Sequence, residues 1–172
     1  MEYDFTIKFK LPSTDESIDE LVERLGSAGC DDALVGVGTP GRIALKFSRE
    51  AKSSETAILS AIKDVKKAIP SAELIEVGPD FVGLTDVADI AGVSRQNIRK
   101  LMRSHTSTFP PAVHDGSASV WHLAPMLHWL ETTVSYSISP SLFDVAQTAM
   151  QINIAREHKQ IPPTLLKKYA GL

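Results

Sequence analysis

Residues 84–103, LTDVADIAGVSRQNIRKLMR, contain two short amphipathic segments on either side of a glycine. Gly92 tolerates the left-handed backbone with which many helices end. Thr85 is the predicted cap of the first helix and Ser94 of the second, because hydroxyl oxygens accept hydrogen bonds from the free N–H groups of a first turn. Two short helices joined by a glycine-containing turn are typical of a helix-turn-helix.

The second segment carries polar and basic side chains suited to DNA. They are Arg95, Gln96, Asn97, Arg99, Lys100 and Arg103. Arginine can pair with two acceptors on a guanine edge, and Gln or Asn can pair in the same way with adenine. Lysine and the later arginines suit phosphate, where charge matters more than shape. The pattern predicts a recognition helix over 94–104, although a solvated face on a structural helix would also explain these charges.

Residues after this helix predict a wing. Asp115-Gly116 is a hairpin signal, and the runs 112–114 and 119–121 on either side of it can pair as strands. His114 and Ser117 would lie at the tip of this hairpin. We expect these two side chains to contact the sugar-phosphate backbone or the minor groove.

Residues 82–131 resemble the winged helix-turn-helix domains of the superfamily that contains excisionases, AlpA-type prophage regulators and MerR-like regulators. The shared motif is Leu-Thr-x-x-Ala-x-x-Ala-Gly-Val-Ser-Arg-x-x-Ile, from Leu84 to Ile98, and it continues in Phe109-Pro110-Pro111-Ala112, Trp121 and Trp129-Leu130. The resemblance implies a sequence-specific protein that binds double-stranded DNA and regulates transcription of a bacterial or mobile-element locus. We expect a homodimer, because one short recognition helix gives little specificity.

The first 80 residues alternate strand and helix signals. The predicted elements are a strand at 3–11, a helix at 18–25, strands at 33–37 and 43–47, a helix at 58–69 and a strand at 74–77. Ser13 or Thr14 is the predicted cap of the first helix. The order β-α-β-β-α-β is typical of the ferredoxin-like arrangement. The predicted fold class is therefore α+β, with this domain followed by a winged helix-turn-helix and a C-terminal helical tail.

The predicted domains are 1–79, 80–134 and 135–172, and their charges differ. The whole chain has 18 Lys and Arg against 21 Asp and Glu, but residues 1–80 alone hold 10 basic and 15 acidic side chains. We expect the acidic first domain to sense a small effector, bind a protein partner or dimerise. The apolar residues after Pro140 recur near helical spacing and need a partner surface, which could be the same chain or a dimer interface.

Other classes of function are not expected. The sequence contains no convincing nucleophile, paired carboxylate or cofactor loop, so we predict no enzyme activity, catalytic residue or cofactor. The histidines match no zinc-ligand spacing, and Cys30 is the single cysteine, so no metal site is predicted. No apolar run approaches the roughly 18 residues of a membrane span, and a cytoplasmic protein without membrane contact is expected. The alternative function is an interaction adaptor, in which the acidic domain binds a protein partner and the helix-turn-helix is scaffold.

Overall fold

An antiparallel sheet and a set of helices make up the chain, which confirms the predicted α+β class. The computed structural model describes residues 1–13 and 16–172. The elements, in chain order, are β1 (Glu2–Lys10), α1 (Ile18–Ala28), β2 (Ala33–Gly36), β3 (Arg42–Glu50), α2 (Ser54–Ala68), β4 (Glu73–Gly78), β5 (Phe81–Val82), α3 (Leu84–Ala91), α4 (Arg95–Ser104), β6 (Trp121–His122), α5 (Leu123–Thr133), α6 (Pro140–His158) and α7 (Pro163–Tyr169). Within the described ranges, no helix is long and apolar enough to cross a membrane.

The first sheet has the strand order β2-β3-β1-β4, and every neighbouring pair is antiparallel. Alternate residues of β1 point to opposite faces, as the period-2 pattern predicts. The buried residues of β1 are Tyr3, Phe5, Ile7 and Phe9. Phe5 stacks on Phe47 of β3 with ring centroids 5.2 Å apart. Helices α1 and α2 pack against this apolar face, and together they form the first hydrophobic core.

The first helix begins later than its predicted cap. Ser17 is the cap, since its hydroxyl accepts a hydrogen bond from the Glu20 N–H at 3.3 Å. The Glu20 carboxylate in turn accepts one from the Ser17 N–H at 3.0 Å. This reciprocal pair satisfies two N–H groups at the start of α1, so Ser13 is wrong as the cap. The alternative cap, Thr14, lies outside the described residues.

The second core is built from α3, α4, α5 and the small β5–β6 sheet. Both tryptophans lie in it with their indole N–H groups satisfied. Trp121 donates to the Pro110 carbonyl at 3.1 Å, and Trp129 donates to the Thr108 hydroxyl at 3.2 Å. The ring of Phe109 meets both indoles edge-on, with centroids 6.1 and 5.0 Å away. This aromatic cluster holds the segment that leaves α4.

The predicted wing hairpin is shorter than expected. His114 and Val120 form a single β-bridge. Trp121 instead pairs with β5, because burial of its indole draws β6 into the second core. The predicted pairing of 112–114 with 119–121 is therefore present only where Val113 and His114 hydrogen-bond Val120, and it does not extend to Trp121.

Helix α6 packs on its own chain and contributes to both cores. Val145 and Ala149 belong to the first core, whereas Ala146 belongs to the second. The Thr148 hydroxyl also lies 2.7 Å from the hydroxyl of Ser54, at the start of α2. Of the two alternatives left open for this helix, packing on its own chain is the one observed. Its apolar residues serve two cores, so α6 bridges the sheet and the α3–α5 group.

Candidate nucleic-acid interface

The helix that precedes the candidate interface, α3, starts two residues before the predicted position. Gly83 is its N-cap, so Thr85 is wrong as the cap. Asp86 supplies the capping contact, because its carboxylate accepts a hydrogen bond from the Gly83 N–H at 2.8 Å. The side chain of Leu84 is only 8% exposed and packs into the second core from the first helical position. Thr85 is left exposed on the first turn of α3.

The turn between α3 and α4 has the backbone that the sequence predicts. Gly92 adopts a left-handed backbone conformation with φ 68°. Residues that carry a side chain rarely adopt this conformation. The Val93 N–H then donates to the Ala88 carbonyl at 3.0 Å, a contact that closes the end of α3. Ser94 is confirmed as the cap of α4, since its hydroxyl accepts a hydrogen bond from the Asn97 N–H at 3.1 Å.

Helix α4 separates an apolar face from a basic face. Ile98 is fully buried, and Leu101 and Met102 are half-buried against the second core. The outward side chains are all exposed on the face of α4 opposite Ile98. They are Arg95, Gln96, Arg99, Lys100 and Arg103. We call these five residues the α4 surface.

The four cations of the α4 surface are not neutralised by neighbouring acids. Among the residues that the structure describes, none of them lies within ion-pair distance of a carboxylate. The chain also has no Lys or Arg between Arg103 and Arg156. The α4 surface is therefore a local positive patch on a chain whose net charge is −3.

Asn97 differs from the other predicted contact residues. Its side chain is half-buried, and its amide nitrogen lies 3.4 Å from the Tyr136 hydroxyl. Tyr136 belongs to the connection between α5 and α6, directly after Ser135, which has a positive φ of 61°. The contact holds this connection beside α4. Sequence reasoning missed Tyr136, because nothing local to residue 136 marks it as a neighbour of α4.

The two predicted wing residues, His114 and Ser117, are exposed in a short loop. Asp115 accepts a hydrogen bond from the Ser119 hydroxyl at 2.6 Å within the same loop. The histidine ring folds over Gly116, where an added Cβ would meet His114 Nε2 at 2.7 Å. The loop therefore offers polar groups to a ligand but no permanent positive charge.

A polar junction between the end of β4, β6 and α6 was not predicted. The Asp80 carboxylate is 2.7 Å from His122 Nδ1 and accepts a hydrogen bond from the Asn153 amide at 2.8 Å. These residues come from three separate parts of the chain, so no local pattern could reveal their contact. We call Asp80, His122 and Asn153 the junction triad. Within the described residues, no group of three or more side chains is arranged to hold a metal ion.

No protein-family model, curated protein or solved structure matches this chain. The chain combines an α+β scaffold with the exposed basic face of α4.

Proposed function

We propose that this chain is a sequence-specific double-stranded DNA-binding protein, a transcriptional regulator of a bacterial or mobile-element locus. In this proposal residues 80–134 are a winged helix-turn-helix and residues 1–79 are a ferredoxin-like domain. The strand order β2-β3-β1-β4 with α1 and α2 packed on the sheet supports the second assignment. The observation that carries the function is the α4 surface, with four exposed cations and one glutamine on a single helix face, and none of these cations forms an ion pair within the described part of the chain.

The dimensions of α4 suit the major groove. The helix has ten residues and is about 15 Å long, and a groove about 12 Å wide admits one α-helix. Residues near the start of a recognition helix reach base edges most directly. We therefore assign base contacts to Arg95, Gln96 and Arg99, and phosphate contacts to Lys100 and Arg103.

Uncharged groups around the helix would complete the interface. Thr85 lies on the first turn of α3 and Ser94 at the start of α4, where hydroxyl and N–H groups can meet a phosphate. His114 and Ser117 would contact the sugar-phosphate backbone from the predicted wing. Asn97 would act mainly through its contact with Tyr136, by holding α4 in place.

The distribution of positive charge predicts how tightly one chain binds DNA and how that affinity depends on salt. Because the cations are concentrated on α4 and the wing loop has none, one chain offers only a few phosphate contacts. A homodimer would place two α4 helices on one duplex and double this number. Binding should weaken with added salt, because each neutralised phosphate releases counterions.

Selection of bound duplexes from a random DNA pool by the full chain tests the proposal. We expect enrichment of a motif with two half-sites, spaced by about one helical turn of roughly 10 base pairs or a multiple of it. A pool that stays random after repeated rounds would contradict sequence-specific binding.

A further inference from the structure

The hydroxyl of Tyr136 lies beside α4 and has a proton that it does not share. Its oxygen accepts a hydrogen bond from the side-chain amide of Asn97 at 3.4 Å. Across residues 1–13 and 16–172, this hydroxyl has no second hydrogen-bond partner. A phenol hydroxyl can donate as well as accept, so the O–H of Tyr136 is free to donate to a ligand. The side chain is half-buried, so part of it faces solvent.

The position of Tyr136 is fixed by its backbone and by the second core. The preceding residue, Ser135, has φ 61°, a left-handed conformation that serine rarely adopts. The Tyr136 N–H donates to the Leu130 carbonyl at 3.0 Å, which ties this residue to α5. The side chain of Tyr136 also packs against the second core. The hydroxyl is therefore held in place before a ligand arrives, and less conformational entropy is lost when it binds.

The contact with Asn97 places this hydroxyl at one flank of α4. Lys100 lies three residues after Asn97, close to one helical turn, so both residues belong to that flank. A helix is about 10–12 Å across and the major groove is about 12 Å wide, so the two sugar-phosphate backbones run along the flanks of a bound helix. A group that is held beside α4 therefore meets a phosphate before it can meet a base edge. The assignment of Lys100 to phosphate agrees with this geometry.

We propose that Tyr136 is a further DNA-contacting residue, whose O–H donates a hydrogen bond to a phosphate oxygen while the Asn97 amide orients the hydroxyl. The inference rests on the proposed function and adds a contact from the connection between α5 and α6. Tyrosine hydroxyls are among the groups that bind phosphate in complexes with DNA. Because the hydroxyl is uncharged, this contact releases no counterion, in contrast to the contacts of the cations.

The test measures the affinity of the full chain for two labelled duplexes by fluorescence anisotropy. One duplex carries the motif recovered from the random pool, and the other has a mixed sequence without this motif. Tyr136→Phe keeps the ring and removes only the hydroxyl. We expect this variant to bind both duplexes more weakly by the same factor, about three- to tenfold for each bound chain. Equal factors indicate a phosphate contact, since a displaced α4 would weaken binding of the selected duplex more than binding of the other.

The dependence on salt distinguishes the Tyr136 contact from contacts made by the cations. Tyr136→Phe should leave the slope of log affinity against log salt concentration unchanged, because no charge is lost. Lys100→Ala should lower that slope by about one for each bound chain. The matched control is Tyr169→Phe, which removes the hydroxyl of a tyrosine in α7 that is 45% exposed. This control should leave both the affinity and the slope unchanged.

Asn97→Ala tests the orientation of the Tyr136 hydroxyl. The Ser94 cap binds the backbone N–H of Asn97, so the substitution leaves the start of α4 intact. If the two side chains act as one unit, their losses do not add. We expect Asn97→Ala/Tyr136→Phe to bind no more weakly than the weaker of the two single variants. Urea unfolding establishes that each variant is folded.

Four results would overturn the proposal. They are a Tyr136→Phe variant that binds both duplexes as tightly as wild type, a loss confined to the selected duplex, a changed salt slope in Tyr136→Phe, and losses at residues 97 and 136 that add in the double variant. Each of these results leaves DNA binding by wild type intact. A wild type that binds neither duplex would instead contradict the proposed function, and the Tyr136 contact with it.

Discussion

The side-chain amide of Asn153 donates a hydrogen bond to the Asp80 carboxylate at 2.8 Å, across 73 residues of sequence. The same amide makes two hydrogen bonds with the backbone of Val77 in the edge strand β4. Its oxygen accepts from the Val77 N–H at 2.9 Å, and its nitrogen donates to the Val77 carbonyl at 2.8 Å. Asp80 also accepts the contact from His122, at the start of α5. One asparagine of α6 therefore joins the edge of the sheet to Asp80 and, through Asp80, to His122 before α5.

Replacing Asn153 by Ala should destabilise the fold strongly. The substitution removes one of the two partners of the buried Asp80 carboxylate and the partner of two backbone groups of Val77. Unsatisfied buried polar groups cost about 1–3 kcal/mol each. We expect a loss of about 2–4 kcal/mol in the free energy of unfolding, measured in urea. Ile154→Ala on the exposed side of the same helix is the control and should change stability far less. Equal losses for the two variants would show that the junction triad does not stabilise the fold.

Arg49 ties three parts of the first domain together, and its loss should be costly. It makes two hydrogen bonds to Asp32, at 2.6 and 2.9 Å, and one each to Asp64 and the Gly29 carbonyl, both at 2.8 Å. The hydrogen bond to Asp32 raises the pKa of Arg49 above its ordinary value, so it stays charged. Arg49→Ala should lower stability by about 2–4 kcal/mol in urea unfolding, because two carboxylates lose their partner.

The shape of the Arg49 side chain should matter as well as its charge. Arg49→Lys keeps the charge but cannot reproduce the two-pronged contact with Asp32, so an intermediate loss is expected. Lys46→Ala, an exposed position on the same strand, is the control. If Arg49→Lys were as stable as wild type, charge alone would account for the contact.

Cys30 should be unreactive in the folded chain. Burial, followed by the nearby Asp64 carboxylate, raises the pKa of the Cys30 thiol from 9.0 to about 11. Because the folded pKa is the higher one, the thiol favours folding below pH 9, and this contribution is lost as the pH rises from 9 to about 11. Labelling by a thiol reagent at pH 8 should be much slower in native buffer than in urea. Equal rates in the two conditions would contradict the buried position of the thiol.

Alanine substitutions at Gly92 and Gly26 test the backbone conformation of the turn before α4, with Gly26 as the control. At both positions an added Cβ would meet no atom within 4 Å, so space does not distinguish them. Gly92 has a positive φ of 68°, and Gly92→Ala should cost about 1 kcal/mol or more for that reason alone. Gly26 lies inside α1, where alanine is the better helix former, so Gly26→Ala should stabilise by up to about 1 kcal/mol. Thermal unfolding measures both, and a shift of the same sign in the two variants would contradict this account of the turn.

Local patterns predicted the local structure of this chain well. The alternation of β1, the left-handed Gly92 and the capping role of Ser94 each depend on neighbours within a few residues, and all three are confirmed. The errors at Thr85 and Ser13 are also local. The cap of α3 is the earlier residue Gly83, whose N–H bonds Asp86, and the cap of α1 is the later residue Ser17. In such cases several nearby residues compete, and small differences in packing decide which one caps the helix.

Contacts between distant residues could not be predicted in the same way. Trp121 pairs with β5 rather than with residues 112–114, because burial of its ring outweighs pairing in the wing hairpin. Asn153 looks like an ordinary polar residue of a helix, and only the folded chain brings it to Asp80. The exposed residues of α4 were recognisable in advance because their position follows from helical spacing alone.

The affinity of the chain for its selected duplex, measured by fluorescence anisotropy over a range of salt concentrations, tests DNA binding by α4 most directly. Arg95→Ala/Arg99→Ala is expected to weaken specific binding by about 2–6 kcal/mol, since each base-reading arginine contributes about 1–3 kcal/mol. The control Lys63→Ala/Lys67→Ala, which removes two exposed cations from α2, should leave specific binding nearly unchanged. Wild-type affinity should fall steeply with salt. Equal affinity of wild type and Arg95→Ala/Arg99→Ala, or binding that is insensitive to salt, would contradict a DNA-reading role for α4.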